Sequence, residues 1–472
     1  MSLTIKNATT DQNRNSITKN TKDTKIKNNI TSETPRNSRQ LTGFFIPLAI
    51  QAASQALSYP LVAMVASRGP GGPLNLAGLA QSTTVMVFLG MFGITFVTTG
   101  MVYAASREGY RTFRNVVLLT GLGVIFVQAA LSIPGVAHLL FGGLIGLPPS
   151  IETPAKITLL ASIPVQFLFF LRTPYLVIMY INKATAKASI ATIGRIAFTA
   201  LLSPIFSNTG LVGPVWAVVC LTLPVALECL VAKLYADPFI KGLNPSMVEI
   251  PRASEIFMFN LPLSVGGYLL SASAIIMGAF IARAPDPERV LPVCYLALGL
   301  ANPLAYAATR IQTTVLAFPP TRPKDPLTFR FAVAAGLCLG MTPLIFILPG
   351  LMELYYVTLQ KLNPVDLNLV RITAIALIAY PLSVAIRAQS EGLAAWSKKP
   401  ATVMAGHSIF LLIILTSGFI LLFVGAQGYV ICAVSLSLGS LSSSATMRIL
   451  MSRSRSKPAP VAPTTTSVGQ IR

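Results

Sequence analysis

The sequence repeats itself once at a nearly constant offset, and no other feature constrains the fold as strongly. The matches are individually short, but they hold one register from Phe44 to Val215. They pair Phe44–Leu48 with Phe259–Leu263, Arg68–Pro70 with Arg283–Pro285, Thr98–Thr99 with Thr313–Thr314, Arg107 with Arg322, Leu171–Arg172 with Ile386–Arg387, and Gly210–Val215 with Gly425–Val430. A register kept over that length indicates a chain built from two equivalent halves.

The composition is that of a membrane protein. The chain is 53% hydrophobic, has a mean hydropathy of +0.68 and contains only 11% charged residues, more apolar surface than a soluble core uses. Apolar helices of about twenty residues span about 30 Å of hydrocarbon, whereas a barrel shows short alternating segments. We therefore predict an all-α polytopic protein with twelve transmembrane helices, at 42–67, 76–105, 115–134, 157–182, 187–207, 211–235, 256–283, 290–318, 328–350, 367–396, 402–424 and 427–450.

The number of helices fixes the relation between the halves. Six helices per half is an even number, so both halves enter the membrane with the same polarity and form parallel repeats about an axis along the membrane normal. We expect an N-terminal lobe at 41–236, an inter-lobe loop at 237–255 and a C-terminal lobe at 256–450. This organisation is typical of secondary transporters, whose site lies in a central cleft between the halves.

The net charge of +21 reports orientation. We place 26 of the 36 lysines and arginines in the two tails and in the loops that follow even-numbered helices, and only five in the opposite loops. This positive-inside bias predicts cytoplasmic termini and contact with anionic membrane lipids, and it argues against nucleic-acid binding. Residues 1–40 and 451–472 are polar and basic, so we expect two disordered cytoplasmic tails. The absence of an apolar run near Met1 suits a bacterial inner membrane.

The sequence contains no recognisable catalytic or metal-binding group. Its two histidines, His138 and His407, have no second ligand at metal spacing, and no phosphate-binding loop or nucleophilic triad is visible. The five cysteines fall inside predicted helices, where buried structural thiols are expected. We expect a monomer that is not an enzyme and that uses no cofactor or metal.

Charged residues inside the predicted spans are the best functional signal, because a buried ion costs several kcal/mol. Arg172 and Arg387 are equivalent in the repeat and lie about 15 Å from the inner ends of their helices, close to the midplane. Arg310 lies about 12 Å into its helix. We expect the three arginines to face one positively charged cleft. The alternative is that Arg172 and Arg387 bind carbonyls freed by helix kinks.

Other polar residues complete the predicted site. Gln51 and Gln55 share one face of the first helix, and Thr98 and Thr313 are equivalent in the repeat. Glu391 follows Arg387 at the i,i+4 spacing of a helical ion pair, so we expect it to hold that arginine.

The remaining charges in the spans have simpler interpretations. Glu228 and Glu391 are possible partners of the arginines inside the helices, but Arg371 and Glu228 lie near helix ends, where snorkelling to the interface explains them. Arg195 fits either interpretation.

Three segments resemble a known superfamily. Phe44–Leu48, Thr99–Arg107 with Arg111, and Thr309–Pro320 are similar to the first, second and eighth helices of the progressive ankylosis protein family of phosphate- and citrate-related exporters. Across 41–450 the chain resembles the wider superfamily of multidrug and toxic-compound extrusion (MATE) proteins and lipid-linked saccharide flippases. The resemblance implies a MATE-like exporter or antiporter.

One departure from the multidrug members bears on the substrate. Those proteins usually have an acidic residue in the first helix for proton or sodium coupling, whereas this chain has Gln51 and Gln55 there. The resemblance therefore does not extend to cation coupling in this lobe or to organic-cation substrates.

These observations predict a secondary active transporter for an anionic solute that works by alternating access of two lobes. Arginines hold carboxylate or phosphate groups bidentately, which favours such a substrate. Two alternatives remain open. The first is a flippase for a lipid-linked saccharide, whose pyrophosphate would meet the same arginines. The second is a non-transporting membrane scaffold or receptor. The coupling ion and the direction of transport are left open.

Overall fold

The computed structural model describes residues 38–55, 58–145, 147–245, 250–281, 283–320, 326–359 and 364–455. Contacts divide the chain after Gly43, and the compact unit Phe44–Arg472 contains the cavities and the side-chain contacts discussed below. The described residues are helical with short connections and contain no strand, which confirms the all-α prediction. The predicted tails lie outside the described residues at 1–37 and 456–472.

The first half of the chain contains six of the twelve predicted transmembrane segments, several of which are divided into two helices. They are α1 (Ser38–Ser54 and Ser58–Ser67), α2 (Pro73–Leu89 and Met91–Tyr103), α3 (Arg107–Leu131), α4 (Pro149–Ala161 and Ile163–Ile181), α5 (Thr185–Asn208) and α6 (Pro214–Lys241). A short apolar helix, Pro134–Leu144, precedes α4. Proline stands at the start of α2, α4 and α6, where its missing N–H costs no helical hydrogen bond.

The second six helices repeat the pattern. They are α7 (Ala253–Ile281), α8 (Pro287–Ala308 and Ile311–Ala317), α9 (Leu327–Met341, extended by Thr342–Ile347), α10 (Leu367–Ala376 and Ala379–Trp396), α11 (Pro400–Phe423) and α12 (Gly428–Arg455). Each of the twelve predicted segments thus coincides with a helix or a pair of helices. Among the described residues, ten helices are long and apolar enough to cross a membrane, and the two that fall short are α1 and α8.

Three details differ from the sequence-based expectations. Helix α6 continues to Lys241, past the predicted boundary at Asp237, and α7 begins at Ala253, so both ends of the predicted loop at 237–255 are helical. Helix α12 continues to Arg455, so the start of the predicted tail is helical. Cys338 is exposed rather than buried, because it lies on the outer face of α9, whereas the other four cysteines are buried.

The two halves pack against each other along two seams. In one seam Phe45, Ala49 and Ala52 of α1 share an apolar core with Ala308 and Ile311 of α8. In the other, α2 and α7 exchange hydrogen bonds between Thr95 and Ser264 (2.8 Å) and from Thr99 to Asn260 (2.7 Å). The small alanines and short hydroxyls allow close approach of the helices, and the space between the seams holds the candidate site.

Candidate functional site

A cavity of about 650 Å³ lies between the two halves. Helices α1 and α2 line it from the first half, and α7, α8, α10 and α11 line it from the second. Six of the predicted site residues lie on its wall: Gln55, Thr98, Arg310, Thr313, Arg387 and Glu391. The volume is within the range of small-molecule sites.

A second cavity of about 250 Å³ adjoins the first on the side of the first half. The predicted residues Gln51 and Arg172 line it, together with Gln166 and Tyr180. Arg310 and Gln55 line both cavities. The structure therefore differs from the expectation that Arg172 and Arg387 share one cleft, because the two arginines line separate cavities and Arg310 stands between them.

Arg310 lies at a break in α8. The helix ends at Ala308 and resumes at Ile311, and Thr309 Oγ1 donates to the carbonyl of Tyr306 at 2.6 Å. The guanidinium lies over the Tyr306 ring, 5.4 Å from its centroid. Its buried Nε has no hydrogen-bond acceptor, and no carboxylate of the described residues pairs with it. A broken helix at membrane depth persists where it lines a cavity, which fits this position.

Arg172 pairs with a carboxylate of the first half that Arg195 shares. Its Nη1 donates to Glu228 Oε2 at 2.5 Å, and Arg195 Nε lies 3.5 Å from the same oxygen. Thr192 Oγ1 donates to the other carboxylate oxygen, also at 2.5 Å. Glu228 has no exposed surface. The snorkelling interpretation of Glu228 was therefore wrong, since α6 extends to Lys241 and places this residue about 20 Å from the helix end.

Arg387 is neutralised within the second half. Its Nε lies 3.1 Å from Glu391 Oε1, at the predicted i,i+4 spacing. His407 Nε2 lies 2.8 Å from the same oxygen, and His407 Nδ1 is buried without a partner. The Arg387 guanidinium also lies over the Phe410 ring, 5.0 Å from its centroid. Glu391 thus holds the arginine in place, and a histidine joins the pair.

The neutral residues of the predicted site differ in how far they are engaged. Gln51 is fully engaged, since it donates to Thr192 Oγ1 at 2.7 Å and accepts from the Tyr180 hydroxyl at 3.1 Å. Gln55, Thr98 and Thr313 lie on the wall of the larger cavity. Gln51 therefore supports the Glu228 network, and the other three face the space that a ligand would fill.

The geometry also includes residues that sequence reasoning missed. His407 occupies the position equivalent to Thr192 in the register that pairs Arg172 with Arg387. The repeat is therefore the sequence signal that relates His407 to a residue near the other arginine. Glu228 has no acidic counterpart in the second half, where the equivalent residue is Ser443. The sequence offered Glu228 as a possible partner of the arginines inside the helices, but no pattern in it singled out Arg172.

The charges around the two cavities do not balance. Four arginines, Arg172, Arg195, Arg310 and Arg387, lie at or beside the cavities, whereas the carboxylates that pair with them among the described residues are two, Glu228 and Glu391. The excess is positive, and Arg310 is the arginine that no carboxylate contacts. In a low-dielectric site such an excess attracts negative charge strongly.

Comparison with known proteins identifies the fold. No family model and no curated protein matches the chain. Among solved structures, the chain is similar to an outward-facing multidrug resistance MATE family transporter of the MOP superfamily, with a TM-score of 0.71 at 14% identity, over 89% of this chain and 95% of the other. It is also similar to a Vibrio cholerae MATE transporter (TM-score 0.67, 14% identity, 88% and 97% covered).

A third similar structure is a MOP superfamily transporter from Pyrococcus furiosus, described as having a binding pocket of reverse polarity that suggests a different function (TM-score 0.66, 14% identity, 89% and 95% covered). Likeness at this identity concerns the fold. Together with the ten apolar helices, it confirms that this chain is a multi-pass membrane protein with a MATE-like fold.

Proposed function

We propose that this protein is a secondary transporter that moves an organic anion through the cavity between its two halves by alternating access. The observation on which the proposal depends is Arg310, a half-buried cation whose Nε is fully buried and which has no carboxylate partner among the described residues, placed where the two cavities meet. A guanidinium in hydrocarbon needs water, an anion or an acidic partner, and a substrate anion supplies the missing charge.

The excess of charge sets the sign of the substrate. Arg172 and Arg387 are each paired with a glutamate, so they contribute to the polarity of the cavity walls rather than offer an unpaired charge to the substrate. Arg310 remains to bind a carboxylate or phosphate group bidentately. Hydroxyl groups of Thr98 and Thr313 on the same wall can donate further hydrogen bonds to such a group.

The rest of the wall favours a substrate with an apolar part. The larger cavity is lined by many apolar side chains, among them Met91, Ile94, Val97, Leu263, Leu270, Val384, Val403 and Phe410. Apolar walls with few placed polar groups are the usual make-up of sites for small organic molecules. The substrate we propose has one acidic group at Arg310 and an apolar body along α2, α7 and α10.

The fold is compatible with this reversal of charge. The MOP superfamily transporter from Pyrococcus furiosus is itself described as having a binding pocket whose reverse polarity suggests a different function. In this chain, the glutamines at positions 51 and 55 leave the described part of α1 without an acidic residue. Both facts support an anion rather than an organic cation as the substrate.

The alternatives make different predictions for the same site. A lipid-linked saccharide flippase would bind a pyrophosphate at these arginines. A scaffold or receptor would have both midplane arginines paired and no cavity between the halves. Arg172 and Arg387 are indeed paired, but the cavity is present and Arg310 is left without a carboxylate among the described residues, so the transporter is the better supported function.

The test is transport by the purified protein in proteoliposomes. Benzoate and a medium-chain fatty acid test transport of anions with an apolar part, and benzamide is the matched neutral compound. Citrate and inorganic phosphate test transport of small polar anions. An isoprenyl pyrophosphate tests the flippase hypothesis. We expect uptake of an apolar anion, loss of at least about 90% of it in Arg310→Gln, and partial activity in Arg310→Lys, which keeps the charge but not the fork.

Arg371→Gln is the matched control, because Arg371 is an exposed arginine of α10 that lines neither cavity. It should transport normally. Normal transport by Arg310→Gln would overturn the anion site, and movement of the isoprenyl pyrophosphate alone would establish the flippase instead.

A further inference from the structure

A cluster of three side chains joins the two halves at one end of the helices. The ammonium of Lys183, in the turn after α4, lies over the Phe318 ring of the second half, 4.4 Å from its centroid. Phe318 follows α8 and also meets the Phe44 ring of α1 edge-on at 5.5 Å. Both rings are buried, at 6% and 3% exposure, so the cluster is a packed contact between halves.

A second cluster of the same kind joins the halves elsewhere. The ammonium of Lys398, in the turn after α10, lies over the Tyr103 ring of the first half, 4.8 Å from its centroid. Tyr103 ends α2 and meets the Phe259 ring of α7 edge-on at 5.2 Å. Lys398 also lies 3.9 Å from Glu255 at the start of α7.

The two clusters are related by the internal repeat. The register that pairs Arg172 with Arg387 also pairs Lys183 with Lys398, Phe44 with Phe259, and Tyr103 with Phe318. In each cluster the lysine and the helix-start aromatic come from one half, and the second aromatic comes from the other. The two contacts are therefore reciprocal, and both halves contribute the same parts.

The turns that present the lysines share an unusual backbone. Lys183 has φ 57° and Lys398 has φ 54°, and the described residues contain only one other non-glycine residue with positive φ, Asp286. A lysine in this left-handed region is uncommon, because its Cβ crowds the backbone. The same strained conformation at two equivalent turns points each ammonium toward the opposite half.

The clusters lie at one end of the larger cavity. Along α1 and α7 the aromatic residue precedes the cavity-lining residues, and along α2 and α8 it follows them. All six residues are therefore displaced toward the end where α1 and α7 begin and α2 and α8 end. The distribution of lysines and arginines predicts that this end is cytoplasmic.

We propose that the two clusters are paired latches of an inner gate. The first latch is Lys183, Phe318 and Phe44, and the second is Lys398, Tyr103 and Phe259. While both are closed, the halves are held together between the cavity and this end. For the cavity to open there, each lysine must leave its ring and each aromatic pair must part. The inference does not depend on which solute is moved.

The latches are suited to repeated opening. Both lysines are exposed, so water solvates the released ammonium, and cation–π contacts at exposed sites are individually weak. The packing of the buried rings defines the geometry of the closed state, and the lysine contacts shift the fraction of molecules in that state. Two weak contacts acting together set an equilibrium between conformations without locking it.

The test measures access to the cavity from each face of the membrane. Thr98→Cys, on the cavity wall less than two turns before Tyr103, is labelled with a membrane-impermeant maleimide in oriented vesicles and quantified by peptide mass spectrometry. Asn182→Cys, beside the exposed turn, identifies the face that carries the latches. In the Lys183→Gln and Lys398→Gln double variant we expect labelling from that face to rise about tenfold, and about threefold in each single variant.

Two controls separate a gate from general loosening. Lys187→Gln removes a cation–π contact of the same kind, over Phe239 at 5.2 Å, that stays within the first half, and it should leave labelling unchanged. Lys183→Arg with Lys398→Arg keeps a cation over each ring and should label at the parental rate. An unchanged rate in the double glutamine variant, or an equal rise in Lys187→Gln, overturns the proposal.

Discussion

Thr192 and His407 are equivalent in the internal repeat, and each contacts the carboxylate that pairs with an arginine of its own half. The arginines, Arg172 and Arg387, are equivalent in the same register. The carboxylates are not, because Glu228 comes from α6 and Glu391 from α10. The halves thus preserve a buried arginine held by an acid and a third polar group, while the source of the acid has changed.

The two arginines should respond differently to substitution. In Arg172→Gln, Glu228 keeps Arg195 as a cation, whereas in Arg387→Gln, Glu391 is left with His407 alone. Breaking a buried ion pair from one side costs about 3–5 kcal/mol, and we expect that loss for Arg387→Gln and a smaller one for Arg172→Gln. Removing Arg387 also cancels positive charge on the cavity wall.

Thermal unfolding in detergent and anion uptake in proteoliposomes measure the two effects. Arg387→Gln should lose uptake and stability together, and Arg172→Gln should lose uptake with the smaller drop in stability. Equal stability of the two variants would show that Arg195 does not compensate, and normal uptake in both would exclude them from the anion path.

Much of the architecture follows from the sequence, because membrane helices obey simple physics. Apolar length predicted the twelve helical segments, and the repeat register predicted that equivalent residues occupy equivalent places, as the pairs Lys183 with Lys398 and Tyr103 with Phe318 show. The i,i+4 pair of Arg387 and Glu391 was predictable for the same reason, since helical spacing is local.

The partners of the other buried charges were not predictable. Arg172 and Glu228 are far apart in the sequence, and only the packing of α4 on α6 brings them together. In addition, the sixth span was predicted to end at 235, whereas α6 extends to Lys241. The shorter prediction placed Glu228 near the membrane–water interface. The break in α8 at Arg310 was also missed, because Thr309 and Arg310 do not break helices by propensity.

A charged cluster outside the transmembrane spans should give the protein an acid-sensitive contact. Glu152 accepts hydrogen bonds from Lys156 and from His138, whose Nδ1 lies 2.7 Å away, and it precedes the span Ile163–Ile181. The hydrogen bond from Lys156, followed by that from His138, lowers the pKa of Glu152 below its ordinary value of 4.5. The contact therefore stabilises the fold above pH 4.5 and is lost as the pH falls through the lowered pKa.

The unfolding temperatures of Glu152→Gln and the parent protein should differ by an amount that depends on pH. At about pH 7 Glu152→Gln should unfold at a lower temperature than the parent, and the gap should close as the pH falls below 4.5 through the lowered pKa of Glu152. Scanning fluorimetry across this range measures it. A gap that stays constant with pH would mean that Glu152 contributes through packing rather than charge.

Gly266 is the residue that makes room for His407. A Cβ at position 266 would lie 2.4 Å from His407 Nδ1. The equivalent position in the first half holds Gln51, which bonds the smaller Thr192. Gly266→Ala should therefore push His407 away from Glu391 and cost about 1–3 kcal/mol of unfolding free energy.

A double-mutant cycle of unfolding free energies tests whether Gly266 and His407 are a matched pair. In a His407→Thr background, which resembles the first half, Gly266→Ala should cost little, because the smaller side chain leaves room for the new methyl group. Gly194→Ala, in α5, is the control, since a Cβ there meets nothing within 4 Å. An equal cost of Gly266→Ala in both backgrounds would show that another neighbour requires the glycine, and that the exchange of Gln51 and Thr192 for Gly266 and His407 is not a coupled one.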